Sequence, residues 1–320
     1  MNVILLIIDA LRYDHVNSEN TPNLVKLANR GVFFTNAFSC NSSTIVSMPC
    51  ILCGQKSYNP QKNIATLLSH SGLHTTLIHS NPIIHGFYPG FNETIDLKSK
   101  QIRMDKRLKK LIRKSLPSNI VAGMKKFRAT MYEDDKYLPY ARAQDTLEFT
   151  SKWMKENNNY FLWVHLMEPH IPYYPLNTML KITRHEMRTL NDKLIESVHG
   201  NYYPTDEEVE QARVLYSEDI KEMDEQLEKF FESLNEDDLL VITSDHGEEF
   251  GENGQFSHHE NKMIPELLHV PLIFFGKQVK EGLILENQVS TNSIGQTVLD
   301  SLHIEVQLGE SSSLWNMLKI

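Results

Sequence analysis

Short, nearly continuous apolar runs recur along the chain and alternate with amphipathic stretches. The runs are NVILLII (2–8), HTTLIH (74–79), NYFLWVHL (159–166), DLLVIT (238–243) and VPLIFFG (270–276). Short runs rich in β-branched residues are typical of strands buried on both faces. Helical patterns lie between them, including NLVKLANRG with Gly31 as its stop, AQDTLEFTSKWMKEN and VLYSEDIKEMDEQLEKFFESL. This alternation predicts an α/β fold with a mostly parallel central sheet and helices on both faces.

The composition of the 320 residues, 41% hydrophobic and 23% charged, is ordinary for a globular protein with a large core. No linker, internal repeat or low-complexity run divides the chain, so we expect a single domain over 1–320. It carries a basic helical insertion at about 98–140 and a short C-terminal extension at 306–320. The apolar opening stops at Asp9, and no run of about 18 apolar residues could span a bilayer. A cytoplasmic protein is therefore expected.

Charge is distributed unevenly around the net value of −9. The segment from Lys98 to Arg128 holds twelve Lys and Arg and one acid, Asp105. Two amphipathic helical patterns occur in it, and a helical insertion with a solvated basic face is the simplest interpretation. The alternative is a surface that attracts anionic lipid, giving peripheral membrane contact, or a polyanionic substrate. Nucleic acid is disfavoured, because aromatic residues are not interleaved with the charges.

Three cysteines, Cys40, Cys50 and Cys53, fall within fourteen residues. They are too few for a disulfide framework or a closed four-ligand zinc site. In a reducing cytosol, packed free thiols are favoured. A local bridge between Cys40 and Cys50 is the first alternative, and redox or metal chemistry is the second.

Carboxylates and imidazoles follow several of the predicted strands. They are Asp9, His165, His170, Asp245, His246 and, shortly afterwards, His258 and His259. Ligands of parallel sheets bind outside the carboxyl ends of the strands. Taken singly, each Asp is explained as a helix cap and each His as an ordinary polar residue. Together they are the oxygen and nitrogen donors of a divalent transition-metal site.

Five segments resemble the successive motifs of the sulfatase branch of the alkaline phosphatase superfamily, in the family's order. They are NVILLIIDALRYDHV, TPNLVKLANRGVFFTNAFS, VHLMEPHIPYY, SDHGEEFGENGQFSHH and ELLHVPLIFFG. The resemblance covers roughly residues 2–305, apart from the basic insertion and the region 178–205. It implies a metal-dependent enzyme that acts on phosphate or sulfate esters.

The nucleophile position of this family falls on Thr44. Sulfatases carry Cys or Ser there, with Pro two and Arg four residues later, as the signal for oxidation to formylglycine. Here these positions are Val46 and Met48, and formylglycine cannot form from threonine. The segment SCNSSTIVSMPC instead resembles the nucleophile segment of phosphoethanolamine transferases, whose Thr lies four residues after one Cys and six before another. Cys40, Thr44 and Cys50 keep that spacing, and Ala10 stands where sulfatases usually have a second acidic ligand.

The resemblance implies a role for each candidate residue. The principal metal would be held by Asp9, Thr44, Asp245 and His246. A second metal or the transferred group would contact His170 and His258, while His165 and His259 are substitute ligands or leaving-group acids. We expect one or two divalent ions, with zinc favoured and manganese, calcium or magnesium as alternatives.

A helix beginning at TIVSMPC would place Thr44 at its positive end, where backbone N–H groups can receive phosphate. Ser42, Ser43 and Ser47 are then interpreted as helix caps, with donation to substrate oxygens as the alternative. For Thr44 itself, the alternative to catalysis is a cap without chemistry.

The expected function is a phosphoester hydrolase or phosphotransferase that acts through phospho-Thr44. A sulfate-ester hydrolase with unmodified Thr44 is one alternative. The other is a catalytically inactive member that binds an anionic surface through Lys98 to Arg128. Phosphoethanolamine transferases are membrane-anchored and act on lipids, so the resemblance leaves the substrate and acceptor open.

Overall fold

The computed structural model describes residues 1–98, 137–235 and 237–320. Most of the predicted basic insertion at 98–140, including its helices, lies outside these residues. The predicted attraction of Lys98 to Arg128 to lipid or polyanions therefore stays a prediction. Across the described ranges, no helix is both long enough and apolar enough to cross a bilayer.

Nine strands of the described part of the chain form one sheet. They are β1 (Val3–Ile8), β2 (Val32–Phe38), β3 (His74–His79), β4 (Glu93–Asp96), β5 (Tyr160–Leu166), β6 (Leu239–Thr243), β9 (His269–Phe275), β10 (Leu283–Leu285) and β11 (Val289–Ser290). Their order is β10-β2-β9-β6-β1-β5-β3-β4, with β11 also beside β2. Strand β9 runs antiparallel to β2 and β6, and the other pairings are parallel. The predicted mostly parallel α/β sheet is confirmed.

Two further strands, β7 (Glu249–Phe250) and β8 (Phe256–Ser257), form a separate antiparallel pair. The helices are α1 (Pro22–Ala28), α2 (Thr44–Cys53), α3 (Ile64–His70), α4 (Ala143–Glu156), α5 (Arg184–Val198), α6 (Asp206–Phe231), α7 (Pro265–Leu268), α8 (Ser293–Ser301) and α9 (Trp315–Leu318). Short 3₁₀ turns occupy Tyr13–His15 and Ile84–Phe87. Helix α6 begins well before its apolar pattern, because Thr205 and Glu208 form a reciprocal capping box.

The central strands are buried on both faces, which explains their continuous apolar runs. In β1, the side chains of Ile4, Leu6 and Ile8 join a core shared with α1, α4, α5 and α6. The alternating side chains of Val3, Leu5 and Ile7 join the opposite core, shared with α2, α3, α8 and α9. Fully burying one such side chain contributes about 1.5–3 kcal/mol. The two cores therefore hold the strand ends in fixed positions.

Strand register brings the carboxyl ends of four strands to one edge of the sheet. Ile7 pairs with both His165 on β5 and Thr243 on β6, and His165 also pairs with His79 on β3. Asp9 leaves β1 at this edge, where its backbone N–H donates to Leu166 (3.0 Å). The residues that follow these strands are therefore neighbours in space.

The C-terminal segment packs against the body of the protein. Leu308, Leu314, Trp315 and Leu318 are buried in the core that contains Val3. Lys280 donates its backbone N–H to Leu318 (2.8 Å). The extension at 306–320 thus completes one face of the sheet, and the single-domain organisation stays a prediction.

Gly31 has a different role from the helix stop that was predicted. Helix α1 ends at Ala28 with Asn29 as its C-cap. Gly31 directly precedes β2. A Cβ at Gly31 would lie 2.2 Å from the carbonyl oxygen of Phe274 on β9. Glycine is required because the two backbones approach so closely.

We predict that Gly31→Ala lowers the free energy of unfolding by about 1–3 kcal/mol, because β2 and β9 must separate to admit the methyl group. Denaturant unfolding measures this change. Gly86→Ala is the matched control, since its Cβ would meet no atom within 4 Å, and we expect a change within about 0.5 kcal/mol. Equal free energies of unfolding for the two variants would contradict the close approach of the β2 and β9 backbones at Gly31.

Candidate active site

A cluster of potential metal ligands lies at the carboxyl edge of the sheet. Asp9, Asp245 and His246 each offer one ligand atom, and these atoms lie within 4.8 Å of one another. All three side chains are fully buried. Asp9 follows β1 and the other two follow β6, its direct neighbour, so the predicted convergence of these residues is present in the described part of the chain.

The two oxygens of Asp9 have different surroundings. Oδ2 accepts hydrogen bonds from His165 Nε2 (3.0 Å) and from Asn81 Nδ2 (3.0 Å). Oδ1 is buried, has no hydrogen-bond partner among the described residues and lies 3.6 Å from His246 Nε2. Burial would raise the pKa of Asp9, but the neighbouring His170, the hydrogen bond from His165 and the neighbouring His246 together lower that pKa well below its ordinary value. Asp9 is therefore an ionised carboxylate with one available oxygen.

The two carboxylate oxygens of Asp245 also have different surroundings. Its Oδ1 accepts from the backbone N–H groups of His246 (3.1 Å) and Ala10 (3.3 Å). Its Oδ2 is buried, accepts no hydrogen bond within the described part of the chain and lies 3.7 Å from His246 Nε2. Ala10 has a left-handed backbone with φ of 60°, an uncommon conformation for alanine. This turn directs the Ala10 N–H towards the carboxylate of Asp245.

His246 presents its Nε2 to both carboxylates. Its Nδ1 donates to the carbonyl oxygen of Gly247 (2.7 Å), which leaves Nε2 as the unprotonated nitrogen. A Cβ on Gly247 would lie 2.1 Å from the carbonyl oxygen of Glu266, so only glycine fits there. The Thr44 hydroxyl lies 3.3 Å from Nε2. Thr44 therefore joins the cluster.

The donor atoms fit a divalent metal. The separations from His246 Nε2 are 3.3 Å to Thr44 Oγ1, 3.6 Å to Asp9 Oδ1 and 3.7 Å to Asp245 Oδ2. Tetrahedral ligands with bonds of about 2.0–2.1 Å are separated by about 3.3–3.4 Å. Buried carboxylate oxygens without partners are costly unless a cation satisfies them. Carboxylate oxygens suit magnesium, calcium and manganese, whereas an imidazole nitrogen suits zinc, so this mixed set of donors fits a divalent metal ion.

Thr44 is the first residue of α2, as predicted. Ser43 occupies the N-cap position, but its side chain makes no capping bond and its Oγ is buried without a partner. The interpretation of the serines as caps is therefore wrong. Ser42 Oγ donates instead to the carbonyl oxygen of His259 (2.7 Å), and Ser47 Oγ donates to that of Thr44 (3.4 Å).

A disulfide joins Cys40 to Cys50, with a Cα separation of 6.5 Å. The preference for free thiols is therefore wrong for this pair and holds for Cys53, which is buried and unbridged. Cys40 lies in the loop after β2 and Cys50 lies within α2, so the bridge holds Cys40 beside the helix that Thr44 begins. The bridge thus closes the short loop that carries Ser43 and Thr44.

His170 and His258 form a second group beside the cluster. Their ring centroids are 4.9 Å apart, and His258 lies 4.2 Å from the ring of His246. His170 Nδ1 contacts the carbonyl oxygen of Ile171 (2.6 Å), and His258 Nδ1 contacts Glu248 Oε1 (3.0 Å). Each Nδ1–H is therefore directed to an acceptor, and each Nε2 remains for a ligand or substrate.

Three residues of the site were not found from the sequence. Glu248 supports His258, and Tyr173 donates its hydroxyl to Glu248 Oε2 (2.9 Å). Burial would raise the pKa of Glu248, but the hydrogen bond from His258 and the nearby imidazoles of His170 and His246 lower that pKa below its ordinary value. Glu248 follows Asp245-His246-Gly247 directly, which is a signal that could have identified it. The third residue, Asn81, comes shortly after the strand HTTLIH, and Asp9 comes directly after β1. A polar residue after a buried strand is therefore the signal that could have identified Asn81.

His165 and His259 occupy different positions from the other histidines. His165 is fully buried behind Asp9, and its Nδ1 has no hydrogen-bond partner. Its only described contact with the cluster is through Asp9 Oδ2 and the neighbouring Asn81 amide. His259 is partly exposed, and its carbonyl oxygen holds Ser42. No described contact brings the His259 ring to the ligand atoms.

The Sulfatase family model matches residues 1–304. A curated relative, the low-salt glycan biosynthesis sulfotransferase Agl7 of Haloferax volcanii, is 38% identical over 85 residues. This match covers 26% of the chain and 21% of Agl7. The chain thus aligns with about a fifth of that relative's length.

Several solved structures share the fold, and two of them illustrate the similarity to this chain. The phosphonate monoester hydrolase of Silicibacter pomeroyi superposes with a TM-score of 0.66 at 21% identity, over 99% of this chain and 76% of that one. The soluble domain of lipooligosaccharide phosphoethanolamine transferase A of Neisseria meningitidis gives 0.64 at 18% identity, over 93% and 86%. At these identities the likeness concerns the fold alone.

We predict that reduction of the Cys40–Cys50 bridge lowers the free energy of unfolding by about 2–3 kcal/mol, because the unfolded chain regains the freedom of a short loop. Unfolding with and without reductant measures the difference. Cys53→Ser should keep the response, whereas the double variant Cys40→Ser/Cys50→Ser should lose it. A response that persists in the double variant would contradict the assignment.

Proposed function

The chain belongs to the sulfatase family, and from this premise we propose that it is a metal-dependent phosphoester hydrolase or phosphotransferase with Thr44 as its nucleophile. The observation that carries the proposal is the position of the Thr44 hydroxyl, 3.3 Å from His246 Nε2. Two buried carboxylate oxygens that have no hydrogen-bond partner among the described residues lie 3.6 and 3.7 Å from the same nitrogen.

Asp9, Asp245, His246 and Thr44 would hold the metal, and zinc fits these donors best. When bound, such an ion lowers the pKa of a coordinated hydroxyl and neutralises charge on phosphoryl oxygens. Thr44 also begins the ten-residue helix α2, whose first backbone N–H groups can receive an anion. The buried Ser43 Oγ is the proposed donor to a substrate oxygen, and Ser47 and His259 are further candidates.

The reaction proceeds in two displacements. The Thr44 hydroxyl gives up its proton to solvent, and its oxygen forms a bond to phosphorus while the bond to the leaving oxygen breaks. The leaving oxygen takes the Nε2 proton of His170 or His258 in its protonated form, whose Nδ1 atom is already engaged by an acceptor. Water or an acceptor hydroxyl then gives its proton to that histidine and bonds to phosphorus, while the bond from phosphorus to the Thr44 oxygen breaks and Thr44 regains a proton from solvent. A second metal held by His170 and His258 is the alternative use of these histidines.

His165 has a supporting role in this proposal. It was a candidate acid, but it contacts Asp9 rather than the space beside Thr44. An imidazole that donates to a carboxylate ligand fixes that ligand and maintains its charge. We therefore assign His165 to positioning Asp9.

Sulfate esters are the second candidate substrates, and membership of the sulfatase family favours them. A formylglycine releases sulfate by elimination from its hydrated aldehyde, and a threonine ester has no such route. Phosphorus is instead attacked directly by a second oxygen. The identity of residue 44 therefore favours phosphoryl transfer.

We predict that Thr44→Ala lowers the turnover of a chromogenic phosphodiester or monoester by at least about 10³-fold with Zn²⁺ or Mn²⁺ present, because no side-chain oxygen remains to attack. Thr44→Ser should retain measurable activity and form a phosphorylated serine. Intact-protein mass spectrometry of quenched reactions detects either covalent intermediate.

Thr189→Ala, on the exposed face of α5, controls for the loss of a threonine elsewhere. Undiminished activity in Thr44→Ala would exclude the nucleophile assignment. Faster cleavage of a matched aryl sulfate than of either phosphate ester would favour the second candidate.

A further inference from the structure

Asn81 is a buried residue at the site that belongs to none of the family motifs quoted above. It follows the carboxyl end of β3, and its side chain is 2% exposed. Its Oδ1 accepts the backbone N–H of Ile83 (2.9 Å), while its Nδ2 donates to Asp9 Oδ2 (3.0 Å). Because the carbonyl end of the amide is occupied by a donor, the amino end must face Asp9.

A second layer fixes the backbone of Asn81. His79 Nδ1 contacts the carbonyl oxygen of Asn81 (3.1 Å), and His79 Nε2 contacts the Tyr88 hydroxyl (2.6 Å). Burial lowers the pKa of His79 to about 4, so the ring is neutral at physiological pH. A neutral ring donates from Nδ1 to Asn81 and accepts at Nε2 from Tyr88. Asn81 is therefore held through both its backbone and its side chain.

Asn81 and His165 place two donors on the same oxygen of Asp9. Two donors on Oδ2 fix the plane of the carboxylate and leave Oδ1 for the metal. The amide is also uncharged, so it satisfies Oδ2 without competing with a cation for the negative charge of Asp9. A lysine or arginine at this position would form an ion pair with Asp9 and oppose metal binding.

We propose that Asn81 is a positioning residue that makes Asp9 a single-oxygen metal ligand. This inference rests on the proposed metal site. Without the amide, Oδ2 loses one of its two donors, and the carboxylate can rotate to offer both oxygens to the ion. Metal affinity and ligand geometry then change together.

The test replaces Asn81 by leucine, which keeps a similar shape and removes the donor. We expect the affinity for Zn²⁺, measured by competition with a chromophoric chelator, to fall about 10–100-fold. The visible absorption of bound Co²⁺ should weaken as the site departs from four-coordination. Asn81→Ala serves the same comparison if the leucine variant does not fold.

Asn63→Leu is the matched control, because Asn63 is equally buried and caps α3 through the N–H of Thr66 (2.8 Å). It should lower thermal stability while leaving Zn²⁺ affinity and the Co²⁺ spectrum unchanged. Wild-type affinity and spectrum in folded Asn81 variants would overturn the positioning role alone. If the wild-type protein itself binds neither ion, the proposed metal site is wrong, and this inference fails with it.

Discussion

The structure depends on a negative charge held where water cannot reach it. Asp9 is fully buried at the centre of the sheet edge, yet surrounding histidines keep its carboxyl ionised. Such a charge is tolerated only with close positive or hydrogen-bonding partners. Donors from β5 and from the segment after β3 satisfy one oxygen, and the other lies 3.6 Å from His246 Nε2, which follows β6. That division defines where a cation would lie.

The fold makes this arrangement rigid. Strands β1, β5 and β6 are buried on both faces, so neither face can relax without exposing apolar side chains. Their register places the ends of all three side by side. The proposed nucleophile, Thr44, comes from a different element, the first turn of α2. The disulfide between Cys40 and Cys50 ties the loop before Thr44 to the body of that helix. The helix and the disulfide are therefore two separate constraints on the position of the Thr44 hydroxyl.

The histidines of the site share one design. In His246, His170 and His258, Nδ1 is directed to a carbonyl or carboxylate oxygen, and Nε2 remains available to bind a ligand or substrate. His165 is the exception, because its Nε2 donates to Asp9 and its Nδ1 is buried. The chain of contacts from Tyr173 through Glu248 to His258 links the loop after β5 with the loop after β8. A displacement of either loop would therefore disturb the other.

The sequence by itself determined the fold class, because buried strands leave a local pattern along the chain. Its strand-end residues and its family resemblance predicted Asp9, Thr44, Asp245 and His246 as candidate donors. The tertiary structure alone decided the antiparallel direction of β9, since a strand buried on both faces has the same pattern in either direction. It also decided the bridging of Cys40 to Cys50, the place of His165 behind Asp9 and the contact of Asn81 with Asp9. These depend on which strand ends are neighbours and which atom of each side chain faces the next. Distances between strands and the orientations of single atoms have no periodic signature in a sequence.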